Sequence, residues 1–361
     1  GERPPANYEK GINWYKETAF SDIATHPSLV IYALTNEVPF QGPIAGEWER
    51  FLSYAHKRLQ NWDSTRLYIA NAGYGYGKSG DICDLHRYWG WYYCSPFTFL
   101  YARDNKYIIP FDKPVQPVTF SECVGNYTGP GGQYNLTPGH KNPGSQLNWT
   151  GHAAWDQQRR LANEHQCFTF AQATELLRRL RSQNSELSGV FPFTILFYNW
   201  NNVERFIDMD PKPVALQARI SYQPVLLSWE NWTSQCYAGS SVHPIVHVVN
   251  DADDGTDLDG AVLIYQIRDE AEQVLTSDSL LLPRIPYYKS WQQRLQIRLT
   301  DNIPAATYYL EGRIEKKGKL ISINKSTLYI GHPPVTYPTR PVLLIDANGS
   351  TEAAFRKLHL P

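Results

Sequence analysis

The chain has 361 residues, which is enough for two or three domains with sizeable cores. Its 34 Lys and Arg residues nearly balance its 35 Asp and Glu residues, so the net charge of −1 does not indicate a nucleic-acid or membrane-surface binder. No apolar run approaches the roughly 18 residues of a membrane span. The five cysteines lack metal-ligand spacing, so we expect buried thiols, with a single disulfide as the alternative.

The first part of the chain alternates predicted helices and strands. Helices are predicted over residues 9–24, 45–61 and 152–183, and strands over residues 29–36, 66–70, 82–88, 117–122 and 189–196. Most of these predicted strands are short, mainly apolar runs, which are typical of strands buried in a parallel sheet. The alternation predicts an α/β fold with five of the eight strands that a closed β/α barrel needs. We therefore expect the other strands to come from the same protein or from another chain.

Two of these predicted strands end in a carboxylate. The first strand leads into Glu37 and the fourth into Glu122, 85 residues later. The carboxyl ends of barrel strands are where such folds keep their chemistry. Paired carboxylates on either side of a glycosidic bond perform glycoside hydrolysis, and a separation of roughly 5–5.5 Å goes with retention of configuration. Asn36, beside Glu37, adds an amide that can bind a sugar hydroxyl.

Two loops stand out by composition. Residues 73–80 contain four glycines and predict a flexible loop between the second and third strands. The acidic segment 251–257 lacks the spacing and the closing Glu of a helix–loop–helix calcium site, which favours a solvated hairpin turn.

From about residue 218 the pattern changes to short alternating strands such as residues 245–249, 261–267 and 295–299, which predicts a β-sandwich. A strand at 341–346 and a capped helix after Ser350 predict the start of a further domain. The expected organisation is a barrel portion over 1–205, a linker and strand region over 206–235, a sandwich over 236–335, and a linker with a truncated domain over 336–361. We expect both ends of the chain to be truncated.

Six Asn-X-Ser/Thr sequons favour an exported protein, although polar loops also produce such triplets by chance. They lie at Asn126, Asn135, Asn148, Asn231, Asn324 and Asn348.

Three segments in register resemble glycoside hydrolase family 2, the β-galactosidase, β-glucuronidase and β-mannosidase group. Residues 26–37 resemble the family's fourth-strand signature, residues 84–92 its sixth-strand motif, and residues 120–122 its seventh-strand nucleophile. The resemblance covers about residues 9–335. It implies a (β/α)8 TIM barrel with strands four to eight in this chain and strands one to three absent, followed by an immunoglobulin-like sandwich.

The resemblance implies a role for each motif residue. Glu37 corresponds to the general acid/base and Glu122 to the nucleophile. Asn36 would bind the sugar 2-hydroxyl and Tyr88 the nucleophile. The expected pocket wall consists of His86, Trp155 and Trp200, with core packing as the alternative for these rings. No cofactor is implied, although some relatives hold structural Mg²⁺ or Na⁺ near the site.

The sequence departs from the family at several points. Thr35 replaces a frequent Gly, and Cys123 replaces a frequent aromatic residue. The Asn-x-Lys mark of glucuronidases and the Gly-Asn-Asn-Glu form of mannosidases are missing, which weakly favours a β-galactosidase-like enzyme. The leading prediction is a retaining exo-β-glycosidase acting on a carbohydrate substrate. The alternatives are a non-catalytic carbohydrate-binding or scaffold protein and an endo-acting barrel hydrolase, with oligomeric state left open.

Overall fold

The computed structural model of the chain describes residues 3–38, 42–73, 79–87, 116–123, 160–181, 187–192, 211–333, 344–346 and 348–357. The chain divides into two compact units. Unit 1 comprises residues 1–226, 248–259 and 284–291, and unit 2 comprises residues 227–247, 260–283 and 292–361. None of the helices in the described ranges is long and apolar enough to cross a membrane.

Unit 1 is a mixed α/β structure with parallel strands. Its helices are α1 (Tyr8–Trp14), α2 (Ala45–Trp62), α3 (Arg160–Arg181) and α4 (Val214–Ser221), and its strands are β1 (Ile31–Ala33), β2 (Leu67–Ile69), β3 (Cys83–Arg87), β4 (Val118–Cys123) and β5 (Leu187–Pro192). Strands β1 and β2 pair in parallel, as do β3, β4 and β5, and a parallel bridge from Ile69 to Ile82 links the two groups. Each strand overlaps a predicted one, so the α/β prediction is confirmed. The closed eight-stranded barrel stays a prediction.

Two helical details differ from the sequence predictions. The helix predicted over 9–24 is α-helical only to Trp14 and continues as a π-helical turn at Tyr15–Ala19. Helix α4 lies in the region predicted to be linker and strand. It forms because Val214 and Ala218, four residues apart on one face, are buried in the core beneath α3.

Buried side chains hold each group of strands against its helices. Phe51 and Leu52 of α2 pack in one core with Tyr32 of β1 and Tyr68 of β2. A second core joins β3, β4 and β5 to α3 and α4 through Leu85, Val118, Phe120, Phe170, Leu177 and Leu187. Each fully buried side chain of this size contributes about 1.5–3 kcal/mol. The cores fix one face of the strands and thereby determine which side chains remain on the other face.

The later strands are mainly antiparallel. They are β6 (Val225–Glu230), β7 (Gln235–Tyr237), β8 (Ser241–Val242), β9 (Ile245–Asn250), β10 (Ala261–Asp269), β11 (Val274–Leu281), β12 (Lys289–Arg294), β13 (Ile297–Arg298), β14 (Ala306–Lys316) and β15 (Lys319–Gly331), before helix α5 (Ser350–Lys357). The sheets have the orders β11-β10-β14-β15-β7, β12-β9-β6 and β13-β8. Within unit 2, a Cβ atom on Gly312 would lie 2.7 Å from both Leu227 and Trp229, so β6 packs closely against the face of β14. A β-rich sandwich fits this arrangement.

The acidic turn is not wholly solvated, so the prediction of a solvated turn is wrong for Asp251. Its side chain is only 17 % exposed, and it accepts hydrogen bonds from Arg178, at 2.8 Å, and from Arg181. A tertiary ion pair with α3 fixes this residue. Asp254, in contrast, accepts locally from Thr256.

The cysteines in the described residues are free thiols, and one of the six sequons is buried. Cys83 and Cys123 are buried, and none of the cysteines in the described residues forms a disulfide. The side chain of Asn324 is buried and donates a 2.8 Å hydrogen bond to the Leu227 carbonyl. That sequon therefore lies in the core of unit 2, where no glycan fits the folded chain.

Candidate active site

The path of the chain after β1 places Glu37 at the carboxyl end of the sheet. A parallel bridge pairs Asn36 with Ala72, and the Glu37 amide donates a 2.8 Å hydrogen bond to the Ala72 carbonyl. Glu37 has a positive φ of 51°. This left-handed conformation costs a non-glycine residue about 1–2 kcal/mol, and the pairing with Ala72 holds the residue in it. The side chain therefore extends across the sheet edge instead of continuing along the strand.

A β-bulge turns Glu122 toward the same edge. Asp84 pairs with Thr119 and His86 with Glu122, so two steps along β3 match three steps along β4. Val118 and Phe120 alternate into the core, and because of the extra residue Cys123 joins them, whereas Glu122 leaves the face that strict alternation would give it. Bulges re-aim side chains in this way and are frequent next to active sites.

His86 joins the two carboxylates. Its Nδ1 atom lies 2.8 Å from Glu37 Oε1 and 3.3 Å from Glu122 Oε2, and one ligand atom from each of the three residues lies within 4.8 Å of the other two. The imidazole is only 4 % exposed, whereas the Glu37 and Glu122 side chains are 45 % and 21 % exposed. A ligand can therefore reach both carboxylates while the ring stays fixed behind them.

Asp84 fixes the strands beneath this group. Its fully buried carboxylate accepts hydrogen bonds from the Thr119 and Ser121 hydroxyls, both at 2.5 Å, and from the backbone amides of Ser121 and Gly73. Burial raises the pKa of the Asp84 carboxyl, and these hydrogen bonds oppose the rise. One oxygen lies 3.8 Å from His86 Nε2. Asp84 thus links β3, β4 and the loop after β2 at the point where the histidine is held.

Gly73 allows the histidine to lie against the backbone. A Cβ atom at this position would lie 2.7 Å from His86 Nδ1, and the residue has a φ of +97°. Its carbonyl accepts a 2.9 Å hydrogen bond from the His86 amide. Gly73 is buried and hydrogen-bonded to β3, and the flexibility predicted for residues 73–80 stays a prediction.

The structure brings together three of the predicted site residues: Glu37, His86 and Glu122. Asn36 is exposed beside Glu37, and within the described residues its side chain makes no hydrogen bond to Glu37, His86 or Glu122. Tyr88, Trp155 and Trp200 lie outside the described residues. The roles predicted for these residues therefore stay predictions.

Sequence reasoning missed Asp84 and Gly73. An acidic residue flanked by Cys83 and Leu85 in a buried strand was one available signal, because such a carboxylate requires several donors. Gly73 carried no comparable signal, since its constraint comes from the imidazole of a later strand.

Glu37 and Glu122 come from separate strands, and both side chains are partly exposed to solvent. Two such carboxylates can perform acid–base and nucleophilic chemistry on a bound ligand. Two carboxylates and an imidazole are also a possible metal ligand set. The geometry supports both uses.

Comparisons with known proteins give information on the fold. No protein-family model matches the sequence, and no match was found among curated proteins. A β-D-mannosidase structure from Dictyoglomus thermophilum is similar with a TM-score of 0.53 at 15 % identity, covering 92 % of this chain and 42 % of that chain. The exo-chitosanase CsxA from Amycolatopsis orientalis is similar with a TM-score of 0.55 at 13 % identity, covering 89 % of this chain and 39 % of that chain.

At these identities the likeness shows a shared fold. The resemblance inferred from the motifs is confirmed for the fold, because each structural match covers nearly the whole of this chain. The chain spans about two fifths of the length of each.

Proposed function

We propose that this chain carries the catalytic carboxylates of a retaining, exo-acting β-glycosidase. The observation that carries the proposal is the convergence of one Glu37 oxygen and one Glu122 oxygen to within 4.8 Å at the ends of two parallel strands. Retaining enzymes hold their carboxyl groups about 5–5.5 Å apart, whereas inverting enzymes leave about 6.5–9.5 Å for a water molecule. Oxygens this close are compatible with the retaining spacing, which we propose for this site.

The proposed reaction has two steps. In the first, ionised Glu122 attacks the anomeric carbon while protonated Glu37 gives its proton to the glycosidic oxygen, so that bond breaks and a glycosyl ester forms. In the second, ionised Glu37 takes a proton from water, the water oxygen attacks the anomeric carbon, and the ester bond breaks. Both carboxyl groups return to their starting states, and no electrons are transferred to a cofactor.

His86 and Asp84 act as positioning residues in this proposal. The His86 Nδ1 atom is within reach of both carboxylates and holds their separation. Asp84 holds β3 and β4 in the register that places His86 beside Glu122. Positioning of this kind matters because a shift of about 1 Å can cost about 100-fold in rate.

The substrate class is a β-linked terminal sugar. The motif departures favour a β-galactoside, while the β-mannosidase and exo-chitosanase structures that share the fold add β-mannosides and β-glucosaminides to the test panel. We also propose that the rest of the barrel is supplied by the same protein or by another chain.

The test is a panel of aryl β-glycosides assayed with the natural polypeptide that contains this chain. We expect hydrolysis of at least one glycoside, labelling of Glu122 by the matching 2-fluoro glycoside, and rescue of Glu37→Ala by azide. Added chelator should not lower turnover, because the two-carboxylate reaction requires no metal. Wild-type rates in Glu122→Gln would overturn the assignment.

The same panel separates the alternatives. Sugar binding without hydrolysis would favour a carbohydrate-binding or scaffold protein. Release of internal fragments from an oligosaccharide, in place of terminal sugars, would favour an endo-acting hydrolase.

A further inference from the structure

The group formed by Glu37, His86 and Glu122 has the spacing of a transition-metal site. Metal–ligand bonds of about 2.0–2.1 Å in a tetrahedral arrangement place ligand atoms about 3.3 Å apart. His86 Nδ1 lies 2.8 Å from Glu37 Oε1 and 3.3 Å from Glu122 Oε2. One Glu37 oxygen and one Glu122 oxygen lie within 4.8 Å of each other, and we expect the half-exposed Glu37 side chain to adjust when an ion binds.

The donor types select the class of ion. Mg²⁺ and Ca²⁺ prefer oxygen ligands alone, whereas an imidazole with carboxylates suits Zn²⁺ and its first-row neighbours. The ion expected here therefore differs from a structural Mg²⁺ or Na⁺.

A second and independent feature lies behind the histidine. Metal-binding histidines almost always present their other ring nitrogen to a carboxylate or carbonyl, which fixes the ring and strengthens the ligand. Asp84 Oδ2 lies 3.8 Å from His86 Nε2, which is close enough for an electrostatic contact but too long for a direct hydrogen bond. Asp84 is itself immobilised by Thr119 and Ser121. Burial of the ring and its close approach to the Gly73 backbone hold it with Nδ1 directed at the two glutamates.

We propose that the sugar-free site binds one divalent transition-metal ion, such as Zn²⁺, through Glu37, His86 and Glu122, and that this ion reversibly inhibits the enzyme. Metal binding follows from the geometry alone, whereas inhibition rests on the proposed function. A bound ion occupies the oxygen that Glu122 uses to attack and the oxygen on which Glu37 carries its proton. Metal and sugar therefore exclude each other, and inhibition should raise KM while kcat stays constant.

Unit 2 offers a matched control. His247 Nε2 lies 2.7 Å from Glu230 Oε2, and its imidazole is also buried. The two residues lie on β9 and β6 of one sheet. The metal-ligand clusters found among the described residues do not include this pair, so it reproduces the histidine–carboxylate contact without the second glutamate.

The binding experiment titrates Zn²⁺ alone into the purified protein by calorimetry, with Co²⁺ absorption as a second probe of coordination. We expect one saturable site whose Kd rises at least about tenfold in Glu37→Gln and in His86→Gln, and is unchanged in Glu230→Gln. Glu37→Gln is the decisive variant, because its half-exposed, isosteric side chain leaves the fold intact, as a thermal melt would verify. Equal Zn²⁺ affinity in wild type and Glu37→Gln would overturn the site.

The inhibition experiment measures aryl glycoside turnover against Zn²⁺ concentration, followed by chelator. A competitive pattern that chelator reverses supports the regulatory proposal, and unchanged KM at saturating Zn²⁺ overturns it. The two proposals fail differently. Zn²⁺ binding that depends on Glu37, without any glycoside hydrolysis, overturns the glycosidase and its regulation but leaves the metal site. Turnover with no such binding overturns the metal site alone.

Discussion

Each unit of the molecule holds a buried histidine against a glutamate, yet the two pairs lie in different settings. His86 meets Glu37 and Glu122 where separate parallel strands end, and Asp84 lies behind the ring. His247 meets Glu230 across neighbouring strands of one sheet.

The contact distances are nearly equal, at 2.8 Å and 2.7 Å, so the contact itself does not distinguish a site from a structural pair. The difference lies in the converging second carboxylate and in access, since Glu37 is 45 % exposed. Strand ends provide both, because their side chains are no longer covered by the next strand or helix.

The largest expected contrast between the two pairs is in turnover. Glu122→Gln should lower kcat by about 10⁴-fold or more, because the neutral amide cannot attack the anomeric carbon. Glu230→Gln should leave kcat unchanged, because its pair holds strands together. Steady-state kinetics with an aryl β-glycoside measures both, and equal losses in the two variants would contradict the distinction.

The second prediction concerns Asp251, a largely buried charge outside the group of Glu37, His86 and Glu122. Its removal should lower stability and leave turnover unchanged. Asp251→Asn leaves the guanidinium groups of Arg178 and Arg181 buried without their shared anion, which should cost about 3 kcal/mol of unfolding free energy. Burial already lowers the pKa of Arg178 to about 10.

Asp257→Asn, in the same turn, is the control, because Asp257 pairs with the exposed Arg284 and its loss should change stability little. Chemical denaturation measures both variants. A loss of kcat in folded Asp251→Asn protein would contradict the prediction that Asp251 contributes to stability and not to catalysis.

The close approach of backbone and imidazole can be tested by adding one methyl group. Gly73→Ala places a Cβ atom 2.7 Å from His86 Nδ1, which should displace the ring and lower kcat/KM about 100-fold. Gly42 also has a positive φ, of +87°, but no atom lies within 4 Å of its Cβ position. Gly42→Ala therefore controls for backbone strain, and an equal loss of activity in both variants would refute the steric cause.

The smallest expected effect is a pH dependence of stability from Lys212. Burial lowers the pKa of Lys212 to about 7, compared with 10.5 for the ordinary side chain. Between these values the unfolded chain binds the extra proton, so the unfolding free energy should rise with pH, by about 2 kcal/mol from pH 7 to pH 9. Below pH 7 both states are protonated and this slope vanishes.

Lys212→Met should remove that rise while leaving turnover intact. Denaturation curves of wild type and variant across pH 6 to 9 measure the difference. Parallel pH profiles for the two proteins would show that the lysine is not buried as described.

Much of the framework was predictable from sequence. Most of the five parallel strands were predicted from short, mainly apolar runs, and burial of such a run depends on its own composition. Strand β3 also carries Asp84, His86 and Arg87. Glu37 and Glu122 were predicted as a pair because each follows such a run. The π-helical turn at Tyr15–Ala19, helix α4 and the ion pairs of Asp251 were not predicted, since each depends on a distant packing partner.

The sequence by itself determined which carboxylates stand at strand ends and, through the motif resemblance, which fold to expect. Only the tertiary structure decided that they meet. The β4 bulge turned Glu122 toward the site, the Ala72 pairing held Glu37 in a left-handed conformation, and Gly73 left room for His86 between them. The physical reason is that hydrophobic burial is set by local composition, whereas the direction of a side chain at a strand end depends on register and on close contacts with distant parts of the chain.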